Sequence, residues 1–189
     1  VTGPDGVYSY SGLSFNSVYQ WQVIAMNANG TTNGLVWNFG TQCDVAATPF
    51  LEEFASWPPI CWDLTGGTYS WVHYTTGVEC ARANFWSQTS GNTDIMTTPP
   101  IDISGGNFGL EFYWSHQYMA TYPNDALEVL VSDDYGANWT QVWYKTGVDF
   151  ESNDGAGTTT PGTFVTSEII PLSSFGSPIL VRFYGYSGY

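Results

Sequence analysis

The side chains that could carry out catalysis are few in this sequence. A Ser-His or Cys-His catalytic pair would have to use His73 or His116, the two histidines of the chain. His116 lies on the apolar face of a predicted strand and His73 lies in an aromatic strand, so we expect both to be structural. A glycosidase needs two carboxylates at a set separation, and among seventeen Asp and Glu residues no pair stands out. The sequence therefore predicts a protein that is not an enzyme.

The three cysteines do not have the spacing of a metal site. Cys43, Cys61 and Cys80 lie 18 and 19 positions apart, and the sequence has no Cys-x-x-Cys pair. A structural zinc site needs four closely spaced Cys or His ligands, so a disulfide is the better interpretation. One bridge would leave one thiol, and the acidic, lysine-poor composition suits an extracellular setting in which disulfides persist.

One segment, SDDYGANW at 132–139, has the Ser-x-Asp-x-Gly-x-x-Trp pattern of the Asp-box seen in sialidase propellers. Sialidases hold the substrate carboxylate with three arginines, whereas this sequence contains Arg82 and Arg182 alone. The pattern occurs once, although the blades of a propeller repeat. We therefore interpret it as a hairpin turn in which an Asp and a Ser bond the turn amides, a Gly takes a positive φ and a Trp packs underneath.

The formal net charge of −14 comes from seventeen acidic residues against three basic ones. Nucleic-acid binding needs Lys and Arg to neutralise phosphates, so this charge excludes it, and an anionic membrane surface would repel the chain. No apolar run reaches the roughly 18 to 20 residues that span a bilayer, so we expect no membrane insertion. Carboxylates that are not solvated would instead coordinate a metal ion. Ca²⁺ is the natural candidate because it prefers oxygen ligands. Both ends of the sequence are expected to continue in a longer protein.

Strands must position these groups, because 9 Trp, 13 Tyr, 11 Phe, 21 Gly and 10 Pro favour strands and turns. Alternating residues predict a strand over 19–25, a turn over 27–33 and an antiparallel strand over 35–39. Leu13, followed six residues later by Tyr19, has the form of a tyrosine corner. Further runs predict a two-sheet sandwich or jelly roll: SWVHY, DIMTTP, FGLEFYW, ALEVLVS, WTQVWYK, FVTSEII and ILVRFYG. The apolar residues expected in its core are Leu110, Phe112, Trp114, Leu127, Val129, Val131, Trp139, Trp143, Ile179, Val181 and Phe183.

Two parts of the sequence resemble known domains. Residues 1–41 resemble the last strands of a fibronectin type III domain, down to a closing Trp-x-Phe-x-Thr, and residues 42–48 form a connector. Within residues 49–189, one family's segments follow in order: PFLEEF, PPICW, DIMTTPPIDIS, LEFYWSHQY, DALEVLVSDDYGANWTQVW and ILVRFYG. This part resembles a choice-of-anchor J or cleaved adhesin domain, a MAM-like jelly roll of secreted Bacteroidota proteins, without its last strand. The resemblance implies an all-β chain, a partial fibronectin type III sandwich followed by a jelly-roll β-sandwich, in a secreted or cell-surface protein.

A calcium site is the first feature that the resemblance implies. MAM-like jelly rolls commonly hold a structural Ca²⁺ between the first and last strands, which implies a site formed by Glu53, with Glu52 as its alternative, together with Asp125. A second acidic loop at 149–155 matches an EF-hand only loosely, because its sixth position is Asp154 instead of Gly, and we interpret it as a surface loop.

A disulfide is the second feature that the resemblance implies. The Thr-Gln-Cys and Pro-x-Cys-Trp segments are similar to those of the family, and they imply a bridge between Cys43 and Cys61 that ties the connector to the jelly roll. Cys61 with Cys80 is the alternative pairing.

Ligand binding is expected at aromatic side chains. Sugar rings present apolar C–H faces that stack on aromatic rings, so a carbohydrate site needs exposed Trp or Tyr beside carboxylates or amides. The candidates in turn-rich segments are Trp71, Tyr74, Trp86, Tyr118 and Tyr122. We expect a non-catalytic extracellular adhesion module that binds a glycan or a protein. The alternative is a structural repeat of an extracellular fibre, bound to neighbouring copies, or a spacer of a larger secreted hydrolase.

Overall fold

The structure is a computed structural model that describes residues 10–152 and 162–188. It divides into two compact units, Val1–Asp44 and Val45–Tyr189, and the boundary falls within the predicted connector. Both units are built from antiparallel strands, so the predicted all-β class is confirmed. In the described residues the helical elements are two three-residue 3-10 turns, Phe85–Ser87 and Gly147–Asp149. Neither is close to the length that a membrane-crossing helix needs, and the described ranges contain no such helix.

The first unit is a β-hairpin of β1 (Val18–Asn27) and β2 (Gly30–Gly40). Trp21 pairs with Trp37 across the two strands, and their rings stack with centroids 6.1 Å apart. The predicted turn over 27–33 is too long, because β2 begins at Gly30 and continues through the polar residues after it. Those residues belong to a strand that is exposed along its length, so no apolar alternation marks them.

The tyrosine corner forms at the entry to this hairpin. The backbone N–H of Ser14 donates a hydrogen bond of 2.8 Å to the hydroxyl of Tyr19, five residues later. Thr41 closes the other end, because its N–H donates to the carbonyl of Ser17 and its hydroxyl to that of Ser14. Local hydrogen bonds therefore fix the start of β1 and the end of β2.

The second unit contains shorter strands that follow the predicted runs. They are β3 (Val72–Tyr74), β4 (Cys80–Arg82), β5 (Thr93–Thr97), β6 (Gly109–Leu110), β7 (Tyr113–Trp114), β8 (Ala126–Ser132), β9 (Thr140–Thr146), β10 (Val165–Thr166), β11 (Ile170–Pro171) and β12 (Leu180–Tyr186). The main sheet has the order β5-β12-β8-β9, and every neighbouring pair in it is antiparallel. Three smaller antiparallel pairs complete the unit: β3 with β4, β6 with β11, and β7 with β10.

The core lies on the inner face of the main sheet. Val129 and Val131 on β8 and Val181 on β12 are at most 2% exposed, as the alternation of apolar residues along these strands predicts. Trp114 on β7 and Ile170 on β11 bury their side chains in the same cluster. Both the predicted strands and most of the predicted core are therefore confirmed. Leu110 and Phe112 are half-buried and pack against this cluster, whereas Trp139 is half-buried and does not belong to it.

The SDDYGANW segment forms the predicted hairpin turn. The Ser132 hydroxyl donates to Asp134 Oδ1 over 2.7 Å, and Gly136 has a φ of +89° and donates its N–H to the Ser132 oxygen. The N–H and side-chain amide of Asn138 both donate to the Asp134 carboxylate, and these bonds lower its pKa to about 2. The Trp139 ring closes the turn by donating its indole N–H to the Gly136 carbonyl.

Candidate functional site

A large cavity lies inside the second unit. Its volume is about 780 Å³, which falls in the range of roughly 300 to 1,000 Å³ that small-ligand sites occupy. Leu51 and Tyr113 line it and are 78% and 70% exposed, so the cavity opens to the surface. Deeper in, Phe54, Trp62 and other aromatic rings form apolar walls, and Trp62 stacks near Phe183 of β12.

Three of the five aromatic residues predicted for ligand binding line this cavity. Trp86, in the first 3-10 turn, is 43% exposed, and Tyr122, in the loop before β8, is half-buried. Trp71 also lines the cavity, but the expectation of an exposed ring is wrong for it: this residue is 9% exposed and belongs to the core. Its position immediately before β3 turns it inward, where it packs with the buried residues of the main sheet.

The other two predicted aromatic residues lie elsewhere. Tyr74, on β3, is half-buried, and the guanidinium of Arg82 lies 5.3 Å from the centre of its ring. Tyr118 is half-buried in the loop after β7, where its backbone N–H donates to Glu151 Oε2 over 2.6 Å. Neither residue belongs to the lining of the cavity. The predicted set is therefore split between one cavity and two separate positions on the same unit.

His116 and Asp125 form a buried polar pair in the wall of the cavity. His116 Nε2 lies 3.3 Å from Asp125 Oδ2, with both side chains about 15% exposed or less. Nδ1 bonds the carbonyl oxygen of Phe150, and the imidazole stacks on the Phe150 ring at 4.0 Å. Both ring nitrogens therefore face acceptors, and both can donate in the doubly protonated form. His116 is a satisfied residue at the rim of the core, as the sequence predicts.

Asp125 joins the end of β12 to the start of β8. Its second oxygen, Oδ1, accepts a hydrogen bond of 2.6 Å from the N–H of Gly188, while Oδ2 faces His116. Its two carboxylate oxygens thus contact nitrogen atoms from two different segments. This arrangement gives Asp125 a structural role between neighbouring strands.

The three carboxylates predicted to hold calcium line the same cavity but do not form a cation site. Glu52 Oε1 accepts the N–H of Phe54 over 2.6 Å, Glu53 is exposed, and both oxygens of Asp125 are held as described. No group of three or more His, Cys, Asp or Glu side chains in residues 10–152 and 162–188 could hold a metal ion. As placed, these residues do not fit Ca²⁺, and a calcium site stays a prediction from the sequence. Of the second acidic loop, residues 153–155 lie outside the described residues.

The charge around the cavity is strongly negative. Five carboxylates line it: Glu52, Glu53, Glu79, Glu111 and Asp125. Arg82 is the one Lys or Arg side chain among the lining residues that the structure describes. The cavity therefore repels anions, and the net charge of −14 on the whole chain acts in the same direction.

The disulfide joins Cys43 and Cys61, and Cys80 is a free cysteine, which is the pairing that the resemblance implies. Cys80 lines the cavity, and burial raises the pKa of its thiol. A neutral thiol is a poor nucleophile, so Cys80 is not poised for covalent chemistry.

A second buried polar pair was not anticipated from the sequence. Asp94 on β5 is fully buried and accepts a hydrogen bond of 2.6 Å from the side-chain amide of Gln88, which is 4% exposed. Burial raises the pKa of the Asp94 carboxyl, and the bond from Gln88 opposes this shift. Within the part of the chain that the structure describes, Asp94 Oδ1 has no protein hydrogen-bond partner.

Several cavity residues escaped the sequence analysis. The sequence placed Trp62 and Gln117 only within segments that resemble a family, and Trp114 only on a core face. The alternation of residues along a strand identifies its buried face, but it does not indicate whether that face meets another side chain or a cavity. Comparisons of this chain with protein-family models, with curated proteins and with solved structures each returned no match.

Proposed function

We propose that this chain is a non-catalytic, extracellular binding module whose ligand occupies the cavity of the second unit. The observation that carries the proposal is that two of the predicted ligand-binding aromatics, the exposed Trp86 and the half-buried Tyr122, line one cavity of about 780 Å³, with the buried Trp71 in its wall. Ligand sites are typically concave and largely apolar, with a few polar groups that orient the ligand. The carboxylates among the lining residues supply such groups here.

The extracellular setting is proposed from the disulfide and from the composition. The bridge between Cys43 and Cys61 persists under oxidising conditions, and the low content of Lys and Arg suits a secreted protein. We further propose that the hairpin belongs to a fibronectin type III domain and that the second unit is a MAM-like jelly roll. The tyrosine corner and the antiparallel sheet order support these finer assignments.

The absence of catalysis is proposed from the side chains that line the cavity. The His116 ring is engaged by a carbonyl and a carboxylate instead of a hydroxyl or thiol nucleophile, and the raised pKa of Cys80 keeps this thiol protonated. Neither residue is therefore arranged as an activated nucleophile or its base.

Binding can be tested with a printed glycan array and a panel of extracellular matrix proteins, using the full chain and two matched variants. Trp86→Ala removes an exposed ring at the cavity, whereas Tyr144→Ala removes an equally exposed ring on β9 outside it. We expect Trp86→Ala to weaken binding about tenfold, since an aromatic contact contributes roughly 0.5 to 1.5 kcal/mol beyond its buried area. Tyr144→Ala should bind normally. Equal affinities of the two variants would contradict the proposal, as would turnover of a bound glycan by the wild-type chain.

A structural role is the second candidate, and the exposure of the hairpin favours it. Trp21, Leu35 and Trp37 are 50%, 75% and 54% exposed, and a two-stranded hairpin is at best marginally stable alone. Additional strands on this hairpin, from neighbouring copies in a fibre, would bury these side chains. Sedimentation velocity at increasing protein concentration tests this role, because fibre repeats would assemble whereas a simple spacer or binding module would stay monomeric.

A further inference from the structure

The run 109–114, which contains β6 and β7, has no strand along one of its edges. β6 and β7 each belong to a two-stranded sheet, with β11 and β10 as their partners. The Ser167 N–H donates to the Phe112 carbonyl, so the backbone groups of Phe112 point toward those partners. Because these groups alternate along an antiparallel strand, the backbone groups of Glu111 and Tyr113 point to the opposite edge. No strand in residues 10–152 and 162–188 pairs with that edge.

A second segment, residues 50–54, has the pattern of a strand but no backbone partner. Its exposure alternates as it does in a strand, since Phe50 and Phe54 are half-buried whereas Leu51 and Glu53 are exposed. Within the part of the chain that the structure describes, the backbone groups of Leu51 and Glu53 bond no other backbone group. An unpaired row of N–H and C=O groups is a template for a further strand.

Both of these edges border the cavity. Side chains alternate between the two faces of a strand, so a cavity on one face touches every second residue. This cavity instead touches all the consecutive residues of 50–54 and of 110–114. It therefore runs along the edges of the two segments as well as against their inner faces. Glu111 and Tyr113 are both exposed, so their edge is open to a ligand.

The size of the cavity suits a short strand. A residue in a sheet occupies about 3.3 Å along its strand, about 4.8 Å across to the next strand and about 10 Å through the layer, or roughly 160 Å³. The volume of about 780 Å³ therefore holds about five residues of extended chain. Strands of about this length are the commonest in globular proteins.

The walls of the cavity restrict the side chains that such a strand can carry. Apolar residues of the main sheet form the inner wall: Met96, Leu127, Val181 and Phe183. The inward side chains of the strand must therefore be apolar. On the outer side, Glu53 and Glu111 are exposed on the two unpaired edges, and both line the cavity. Opposite charges on neighbouring strands attract each other, so lysine or arginine fits the outward positions.

We propose that the cavity binds a partner protein through an extended segment in which apolar residues alternate with lysine or arginine. The segment pairs with the unpaired edge of 109–114 and lies against residues 50–54, in the way that peptides add a strand to an open sheet edge. The present chain has three Lys and Arg residues, far apart in the sequence, so a second copy of it offers no such segment. This inference rests on the proposed function of the cavity as a binding site, and it names the class of the ligand.

The test uses the full chain labelled with ¹⁵N and a set of synthetic peptides. KVKVKVK is the probe, EVEVEVE has the same alternation with the opposite charge, and KKVVVKK has the same composition without the alternation. Two further forms of KVKVKVK are methylated on the valine nitrogens or on the lysine nitrogens. Each of these blocks hydrogen bonding along one edge of the peptide and keeps its side chains.

We expect KVKVKVK to bind in a saturable way. At ten times its Kd it should slow hydrogen exchange at the amides of Glu111 and Tyr113 about tenfold, because a paired amide exchanges only from the free protein. EVEVEVE, KKVVVKK and at least one methylated form should bind at least about tenfold more weakly. Glu111→Gln should weaken the binding of KVKVKVK about two- to fivefold, the effect of one exposed ion pair. Asp149→Asn is the matched control, because Asp149 is an exposed carboxylate outside the cavity and should not matter.

The possible failures are distinguishable. Equal binding of KVKVKVK and KKVVVKK, or of KVKVKVK and both methylated forms, would show that no added strand forms. Equal binding of EVEVEVE, or equal effects of Glu111→Gln and Asp149→Asn, would refute the basic partner. Each of these results would overturn this inference and leave the cavity as a binding site.

Two further results would also overturn the inference. Slower exchange at Glu111 and Tyr113 on raising the protein concentration alone would identify a second copy as the occupant. The absence of binding by every peptide would remove the added strand. The proposed function would fall with it only if Trp86→Ala and Tyr144→Ala also behave alike on the glycan and matrix-protein panels.

Discussion

Replacing Gly188 by alanine is expected to separate the end of β12 from the start of β8. A Cβ at this position would lie 2.4 Å from the carbonyl carbon of Asn124 and 2.5 Å from the amide nitrogen of Asp125. These are backbone atoms, which cannot rotate away as a side chain does, so the two segments must move apart. That movement breaks the 2.6 Å hydrogen bond from the Gly188 N–H to Asp125 Oδ1.

The expected cost has two parts. Forcing an extra methyl group into a packed site costs about 1 to 3 kcal/mol, and losing a hydrogen bond to a charged group costs about 1.5 to 3 kcal/mol. Together they lower the free energy of unfolding by about 2.5 to 6 kcal/mol. For a chain of this size the melting temperature should fall by roughly 5 to 24 °C. Gly105→Ala is the control, because nothing lies within 4 Å of its added Cβ, and it should change stability by less than about 0.5 kcal/mol.

Urea unfolding followed by tryptophan fluorescence, together with scanning calorimetry, measures both variants against the wild type. The reasoning is refuted if Gly188→Ala unfolds at the same urea concentration and temperature as Gly105→Ala. Asp125→Asn provides a second check on the size of the hydrogen-bond contribution. It removes the charge that accepts from Gly188 without adding atoms, so it should cost less than Gly188→Ala.

Three further changes test other parts of the second unit and the disulfide. The carboxyl of Asp134 should titrate with a pKa of about 2 in a ¹³C NMR experiment. The stability that this carboxylate contributes is therefore complete above its ordinary pKa and is lost as the pH falls through about 2. Titration near the ordinary value would contradict the turn geometry. Asp94→Asn should raise the free energy of unfolding at neutral pH, because the raised pKa of Asp94 makes the stability that this residue contributes fall as the pH rises through its folded-state pKa. Urea titrations at neutral pH and below about pH 4 should show that the stability gained by the variant vanishes in acid. A lower free energy of unfolding for the variant at neutral pH would refute this prediction. Cys43→Ser should lower the free energy of unfolding by about 3 kcal/mol through the lost closure of the loop to Cys61, whereas Cys80→Ser should have a small effect; calorimetry with and without reductant measures both.

Period-two alternation predicted the main sheet because it reports a local property of the chain. Leu127, Val129 and Val131 are all apolar and all buried in the core, whereas Glu128 and Leu130 between them are only half-buried. The turn at 132–139 could be predicted for a similar reason, since the hydrogen bonds that shape it join residues within four positions of each other. One further bond, from the N–H of Gly176 to Asp133, comes from a distant segment and could not be predicted in this way. Short-range geometry of this kind is encoded within a few residues.

The site depended on contacts between distant segments, which the sequence pattern does not encode. Trp71 lies in a turn-rich stretch that suggested exposure, yet residues far along the chain bury it. Asp94 appeared to be an ordinary polar residue at the start of a strand, and its burial depends on Gln88 and on the partner strand β12. The aromatic residues could be nominated by type, but which of them share a cavity follows from the packing of the sheets.

Asp125 illustrates how one residue type supports two different roles. A carboxylate at the start of a jelly-roll strand was predicted as a calcium ligand, but here its oxygens accept from Gly188 and face His116. Calcium binding at Asp125 would have to replace both donors, and the released Gly188 N–H and His116 ring would need new partners in a half-buried site. The protein's own groups thus engage both oxygens of this carboxylate without a metal.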